Sequence, residues 1–243
     1  MAAFALTNVS ITLDGTTVTG FSNEVDVTAT ADMLDFTTFA SGSWKTMKPG
    51  FSSFTCNLKG FQDYATNGLD PAFPLSAAGG TDVFTVAPTG GSNVADIAYI
   101  GQGLLTGYQP LTAAVGQPAN FDFQWTGINQ LVRSQVLHPS ATRTATGNGT
   151  ATTFTTPTAT QALYAAFHVT SVTGTGSIQL KVQTANSGAF TVPNDRITSQ
   201  SFTATGGQFA SLAGALAGET HIRTTWTIAG FTSVTFTVAA GVL

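Results

Sequence analysis

Polar and apolar positions along this 243-residue chain alternate mostly with a period of two, the spacing of strands with one buried face. Ser10 to Thr19 centres on Asp14-Gly15, a two-residue hairpin signal. Between Asn23 and Asp32, Glu24, Asp26, Thr28, Thr30 and Asp32 fall on one side, and Val25, Val27, Ala29 and Ala31 on the other. Phe54, Cys56 and Leu58 alternate with Thr55, Asn57 and Lys59; Phe121, Phe123 and Trp125 alternate with Asp122 and Gln124. Cys56 therefore reads as a small buried hydrophobe. Asp63 to Gly80 breaks the rhythm with Asn67-Gly68, Asp70-Pro71, Pro74 and Gly79-Gly80. It predicts a loop with one short helix around Pro71 to Ala78: a proline suits a helix start, and Pro74 limits the length.

Ser140 to Pro157 is rich in Thr, Ala and Gly and lacks large alternating apolar residues. It predicts a linker with an early edge strand, and Gly147-Asn148-Gly149 reads as a turn. Strands are expected again at Tyr164 to Val172, Ser177 to Thr184, Gln200 to Ala204, His221 to Ile228 and Ser233 to Ala239. Gln208 to Ala217 reads as a short helix or a loop. The predicted class is all-β: a sandwich or barrel domain over residues 1–140 with at most one short helix, then a C-terminal β-sandwich or jelly roll over 141–243. Because the apolar patterns on the two sides of the linker are separate, a 1–140 fragment is expected to fold alone.

Composition sharpens this picture. Only 8% of residues are charged, against roughly 25% in an average domain, whereas threonine, β-branched and suited to a pleated surface, occurs 43 times. A surface so poor in charge points to burial by neighbouring subunits. The net charge of −4 and the absence of a basic patch argue against binding nucleic acid by phosphate neutralisation. Residues 1–140 hold four basic and ten acidic residues, and 141–243 four basic and two acidic, a split that suggests two domains with different tasks. Cys56, the single cysteine, excludes an intrachain disulfide. Residues 1–20 lack the basic start and apolar block of a signal peptide. No run approaches the ~18 apolar residues of a membrane span, so assembly in the cytoplasm of a producing cell is expected.

Catalytic patterns are not found. His138, His168 and His221 are far apart and lack metal-ligand spacing. There is no Gly-x-Ser-x-Gly elbow and no phosphate loop after Gly147-Asn148-Gly149. The only acids after residue 140, Asp195 and Glu219, fall in expected turns and not across a cleft as glycoside hydrolysis requires. No enzymatic activity, cofactor or metal is expected.

The segment Leu34 to Asp63, LDFTTFASGSWKTMKPGFSSFTCNLKGFQD, resembles the N-terminal signature of siphophage major tail (tail tube) proteins. A Thr-rich strand ends at Thr37-Thr38-Phe39; a loop follows from Ser41 to Met47, then the Pro49-Gly50 turn, then a strand ending in Gly60-Phe61 with Asp63. Ala114-Val115-Gly116 leading into Phe121 to Trp125, then Leu131-Val132-Arg133 and Val136-Leu137, resembles the closing strands of the same domain. The match covers roughly residues 5–138. It implies a structural subunit of a long non-contractile bacteriophage tail, assembled as six-fold rings stacked into a tube. Each copy would contribute strands to a β-barrel around a lumen that holds a tape-measure protein and later passes DNA without specific binding. The protein is then expected in the virion tail, and residues 141–243 as a decoration domain able to touch the host surface.

With this resemblance, the Glu24 and Asp26 face becomes the candidate lumen lining, with Asp122 as a further candidate; the alternative is an ordinary solvated strand face. Like charge would keep DNA from sticking in transit. The loop carrying Trp44, Lys45 and Lys48 is the candidate inter-ring contact, because aromatics are enriched at interfaces; alternatively Trp44 packs on its own domain. A rival function is a tail-surface or fibre-like module that binds host cell-wall carbohydrate on a platform of Tyr164, Trp226 and Phe231, set against the packing of Trp226 in the core with Ile222 and Ile228.

Overall fold

The computed structural model describes residues 6–38, 41–42, 44–65, 68–73, 78–216 and 218–243; Phe39, Asn67 and Pro74 lie outside the described residues. The strands in chain order are β1 (Ser10–Leu13), β2 (Thr16–Thr17), β3 (Ser22–Asp35), β4 (Met47–Phe61), β5 (Thr81–Ala87), β6 (Ile97–Thr112), β7 (Asn120–Gly127), β8 (Val132–Arg143), β9 (Gly147–Asn148), β10 (Thr152–Thr153), β11 (Ala162–Ala185), β12 (Asn194–Phe202), β13 (Gly206–Ala213) and β14 (His221–Val242). One four-residue helix, α1 (Leu69–Ala72), accompanies them. The fold is all-β and antiparallel, with at most one short helix among the described residues, as the alternation predicts. The helix starts two residues before Pro71, which therefore sits within its first turn, where no intrahelical N–H bond is lost.

The chain divides into two compact units: Met1–Phe21 with Thr81–Gln102 and Val132–Leu243, and Ser22–Gly80 with Gly103–Leu131. The boundary expected between residues 140 and 141 falls inside β8, whose ladder partner β14 lies in the C-terminal half. Residues 1–21 and 81–102 belong with the C-terminal strands. A linear reading misses this, because strand pairing joins segments far apart in sequence.

In the first unit, β11 and β14 pair along almost their whole lengths, from Leu163 opposite Val242 to Ala185 opposite His221. Each was expected as two strands separated by a turn. The glycines between those segments instead form a bulge: Gly174 has φ +89° and Gly230 φ +84°, and the register shifts around Gly174 to Ser177. A Cβ on Gly176 would lie 2.2 Å from the Ala229 carbonyl oxygen, so the paired strands bend together there without separating. Along β14 run β8, β9 and β10. The expected linker thus contains the end of β8 and two short strands, and Gly147-Asn148 is strand, not turn. Gly147 leaves room for the Trp226 ring, 3.0 Å from where a Cβ would stand, and the indole N–H donates to the Ala145 carbonyl at 2.8 Å.

On the other side of β11, β13 pairs from Ala162 to Val169 and β12 from Ile178 to Thr184. The segment expected as helix or loop after Gln208 is therefore mainly strand; pairing with β11 overrides local preference. The core holds Phe167, Leu180, Trp226, Phe231, Phe236 and their neighbours. The β1–β2 hairpin turns at Asp14 (φ +41°) and Gly15 (φ +81°), the two positive φ values of the expected turn.

Glu219, expected in a turn, has 1% of its surface accessible. Its carboxylate accepts from Arg196, Thr184 and Asn194, and forms an ion pair with Arg196. Burial pushes its pKa up, but these hydrogen bonds and the guanidinium charge outweigh burial and hold it below the usual range. Such a group stabilises the fold above its unfolded-state pKa, and that contribution is lost as pH falls through the depressed folded-state value. Arg196→Met strands a buried carboxylate and is expected to cost about 3–5 kcal/mol at neutral pH. The difference from wild type should shrink as acid protonates Glu219. Urea unfolding of both proteins across pH checks this; a pH-independent difference would show that lost packing, not charge, is responsible.

Candidate functional site

In the second unit, β3, β4, β7 and β6 lie side by side in that order. Antiparallel register sets Glu24 beside Lys59, Lys59 beside Asp122, and Asp122 beside Gln109. The next row on the same face is Asp26, Asn57, Gln124 and Gly107. These rows line a shallow open groove of about 530 Å³. The structure thus brings Glu24, Asp26 and Asp122 onto one face. Lys59 stands between them, its Nζ 3.5 Å from Glu24 and 3.9 Å from Asp122. The alternation of Lys59 with Cys56 and Leu58 is visible in the sequence, but its place between two acids follows only from register. Three carboxylates against one ammonium leave the face negative.

The opposite face is apolar. Phe121 and Phe123 lie 5.2 Å apart between ring centroids, Phe123 and Trp125 5.1 Å, and Tyr108 stacks on Phe123 at 4.5 Å. Phe73, just after α1, meets Phe123 edge-on at 5.3 Å. Cys56 is buried here, and burial, then the Asp26 charge, pushes its thiol up to about 12, as expected of a packing residue.

Beyond Thr55 opposite Thr126, β4 has no further pairing with β7. From Ala29 to Asp35, β3 pairs with β4 alone. This two-stranded ribbon reaches roughly 23 Å past the four-stranded part at ~3.3 Å per residue. Trp44 near its tip is 82% exposed and Phe51 89%, and Met33, Leu34, Phe36 and Met47 are exposed as well. Lys45 lies 3.9 Å from Asp35, and Lys48 sits over the Phe36 ring at 5.0 Å. Phe51 escaped the sequence reading because an exposed phenylalanine and a buried one look alike until register is known.

The carbohydrate platform considered above is not assembled. Trp226 and Phe231 are core residues, while Tyr164 is half-buried and stacks on Phe209. His138 is buried, donating from Nδ1 to the Phe236 carbonyl and accepting from Arg143 at Nε2; burial, aided by the Arg143 charge, brings its pKa down to about 4. His168 is fully buried, accepting from the Gly15 N–H and donating to Thr85, with a pKa pushed down by burial to about 3. Asp195 lies on β12 and is held by Lys181 and Gln183.

No protein-family model and no curated protein matches the chain. Among solved structures, the chain is similar to one in the virion of a native gene transfer agent (GTA) particle, with 17% identity and a TM-score of 0.43 over 54% of this chain and 98% of that one. A chain in the tail of an empty GTA particle with C6 symmetry has 15% identity and a TM-score of 0.41 over 52% and 93%. The SPP1 Dit (gp 19.1) protein, described as a paradigm of hub adsorption apparatus in phages infecting Gram-positive bacteria, has 13% identity and a TM-score of 0.36 over 97% and 99%.

Because Lys59 and both its partners are exposed, Lys59→Gln is expected to cost less than about 1 kcal/mol, and the cost should fade in high salt. Thermal melts at low and high ionic strength check this. A large, salt-independent loss would mean that the polar face is desolvated.

Proposed function

We propose that this protein is a structural subunit of a non-contractile bacteriophage tail tube. The observation that carries this reading is the second unit's sheet, which has one apolar face against its own core, one acidic polar face, and two open edges. β3 pairs only with β4, and after Leu105, among the described residues, β6 pairs only with β7. Unpaired edges template pairing with another chain. Joining the β3 edge of one copy to the β6 edge of the next is a heterologous contact, which closes into a ring when the rotation permits.

Six copies with four strands each would form a closed sheet of about 24 strands. At ~4.8 Å spacing and ~40° tilt its backbone diameter is roughly 48 Å, wider than the ~16–18-stranded barrels that already leave an aqueous channel. With the acidic face inward, Glu24, Asp26 and Asp122 line a lumen for the tape-measure protein and for DNA. Duplex DNA carries about one negative charge per 1.7 Å, so a negative wall lets it slide without binding. The ribbon bearing Trp44, Lys45 and Lys48 reaches toward the adjacent ring. A lone two-stranded ribbon is only marginally stable in water, and its exposed apolar side chains favour a partner. The carbohydrate-binding alternative gains no support, since two of its three aromatic residues are buried.

Negative-stain electron microscopy of concentrated protein is expected to show rings or hollow tubes of uniform diameter; strictly monomeric protein would move weight away from the tube. In a virion, Glu24→Lys with Asp26→Lys should leave tubes intact and slow DNA ejection, because a cationic wall holds phosphate. Normal ejection by the assembled double variant would sink the lumen assignment.

A further inference from the structure

We infer that Arg223, on the face of the β11–β14 ladder turned away from the Ile222 and Trp226 core, is an oxyanion site that takes the carboxylate of a small acidic ligand. The distribution of charge sets this arginine apart. After residue 140 the chain has four basic residues, Arg143, Lys181, Arg196 and Arg223, and two acids, Asp195 and Glu219. Lys181 pairs with Asp195, and Arg196 with Glu219. Arg143 donates to His138 and lies over the Trp226 ring. Arg223 meets no carboxylate among the described residues. Its hydrogen bonds go to one neutral oxygen, Gln183 Oε1, from Nε at 3.0 Å and from Nη2 at 2.9 Å. Its guanidinium stands over the Phe190 ring at 4.3 Å. Burial pulls its pKa down, because the charge is taken partly out of water with no opposite charge to offset the cost.

The guanidinium is fixed by a chain of bonds. Asp195 accepts from Lys181 Nζ and from Gln183 Nε2, each at 2.6 Å, and these bonds, the one from Lys181 first, hold its carboxyl below the usual range. An ionised carboxylate accepts only from the NH2 end of the Gln183 amide, which turns Oε1 toward Arg223. Phe190 covers one guanidinium face from a loop in which it adopts φ +50°, a conformation that bulky side chains rarely take. Of the five N–H donors of an arginine, those not given to Gln183 include the parallel pair at the Nη1–Nη2 end, the fork that matches the two oxygens of a carboxylate. The ladder is open beside it: Thr225 pairs with Asn148 and Ile222 with Thr152, and between them Arg223 has no partner on that side. Asn148 shares the Arg223 face, and His221 lies on it roughly 7 Å along β14. Asp195 stands one amide away from Arg223 and repels a second negative charge. A planar, singly charged carboxylate therefore suits the fork better than a phosphate monoester dianion.

The test reads the guanidinium itself. The full chain is labelled with phenylglyoxal, an arginine reagent, and modification at each arginine is quantified by peptide mass spectrometry. Labelling is run with chloride, glucuronate or glycerol phosphate at equal ionic strength. Glucuronate is expected to slow modification of Arg223 several-fold, more than glycerol phosphate does, and to leave the exposed Arg133 and Arg143 unaffected. Gln183→Glu is isosteric and supplies a carboxylate from the chain itself. Its circular dichroism should match wild type, and glucuronate should no longer change the rate at Arg223. An Arg223 that does not react in chloride, or that no anion protects, would overturn the inference. Equal slowing at Arg133 would do the same, since it would show general screening of charge. Protection by glycerol phosphate as strong as that by glucuronate, or protection that survives in Gln183→Glu, would overturn the carboxylate fork. The wild-type comparison decides without the variant, and none of these outcomes depends on whether the protein forms tubes.

Discussion

Backbone pairing between antiparallel strands is the constraint on which the rest of this structure depends. Side chains alternate with a period of two, so the register of a ladder decides which residues of neighbouring strands share a face. In the β3–β4–β7–β6 sheet, register turns four separate alternating segments into one acidic face and one aromatic face. A one-residue slip of β4 would put Leu58 in water and Lys59 against Phe123. The desolvation of an ammonium in that core is far costlier than any gain on the polar side, so the pattern enforces its own register.

The two units use the same pairing for different ends. Around β11 and β14 the sheet is covered on its apolar faces, and even the carboxylate of Glu219 is buried, held by the half-buried Arg196. Around β3 and β4 the sheet runs out of neighbours. The ribbon keeps its backbone bonds but leaves methionine, phenylalanine and tryptophan side chains in solvent. In a chain with so few charges, this incomplete burial is coherent if the missing cover comes from copies of the same molecule, which is also what the open sheet edges ask for.

Much of this was legible locally. Asp14-Gly15 determined a two-residue hairpin, because few dipeptides tolerate two positive φ values. The spacing of Phe54, Cys56 and Leu58, and of Phe121, Phe123 and Trp125, determined strands with one buried face and the burial of Cys56. Glu24 and Asp26 were bound to share a side. These features depend on neighbours one or two residues away.

Tertiary structure alone decided the rest. Whether the glycines near Gly174 and Gly230 end a strand or bulge it depends on β11 and β14 bending together, and whether Gln208 lies in helix or strand depends on an edge offered by β11. The division of the chain into units, the burial of Glu219 beside Arg196, and the placement of Lys59 between Glu24 and Asp122 all arise from pairing between residues distant in sequence. Periodicity states which residues share a strand face, but only the ladder states which strands meet and at what register.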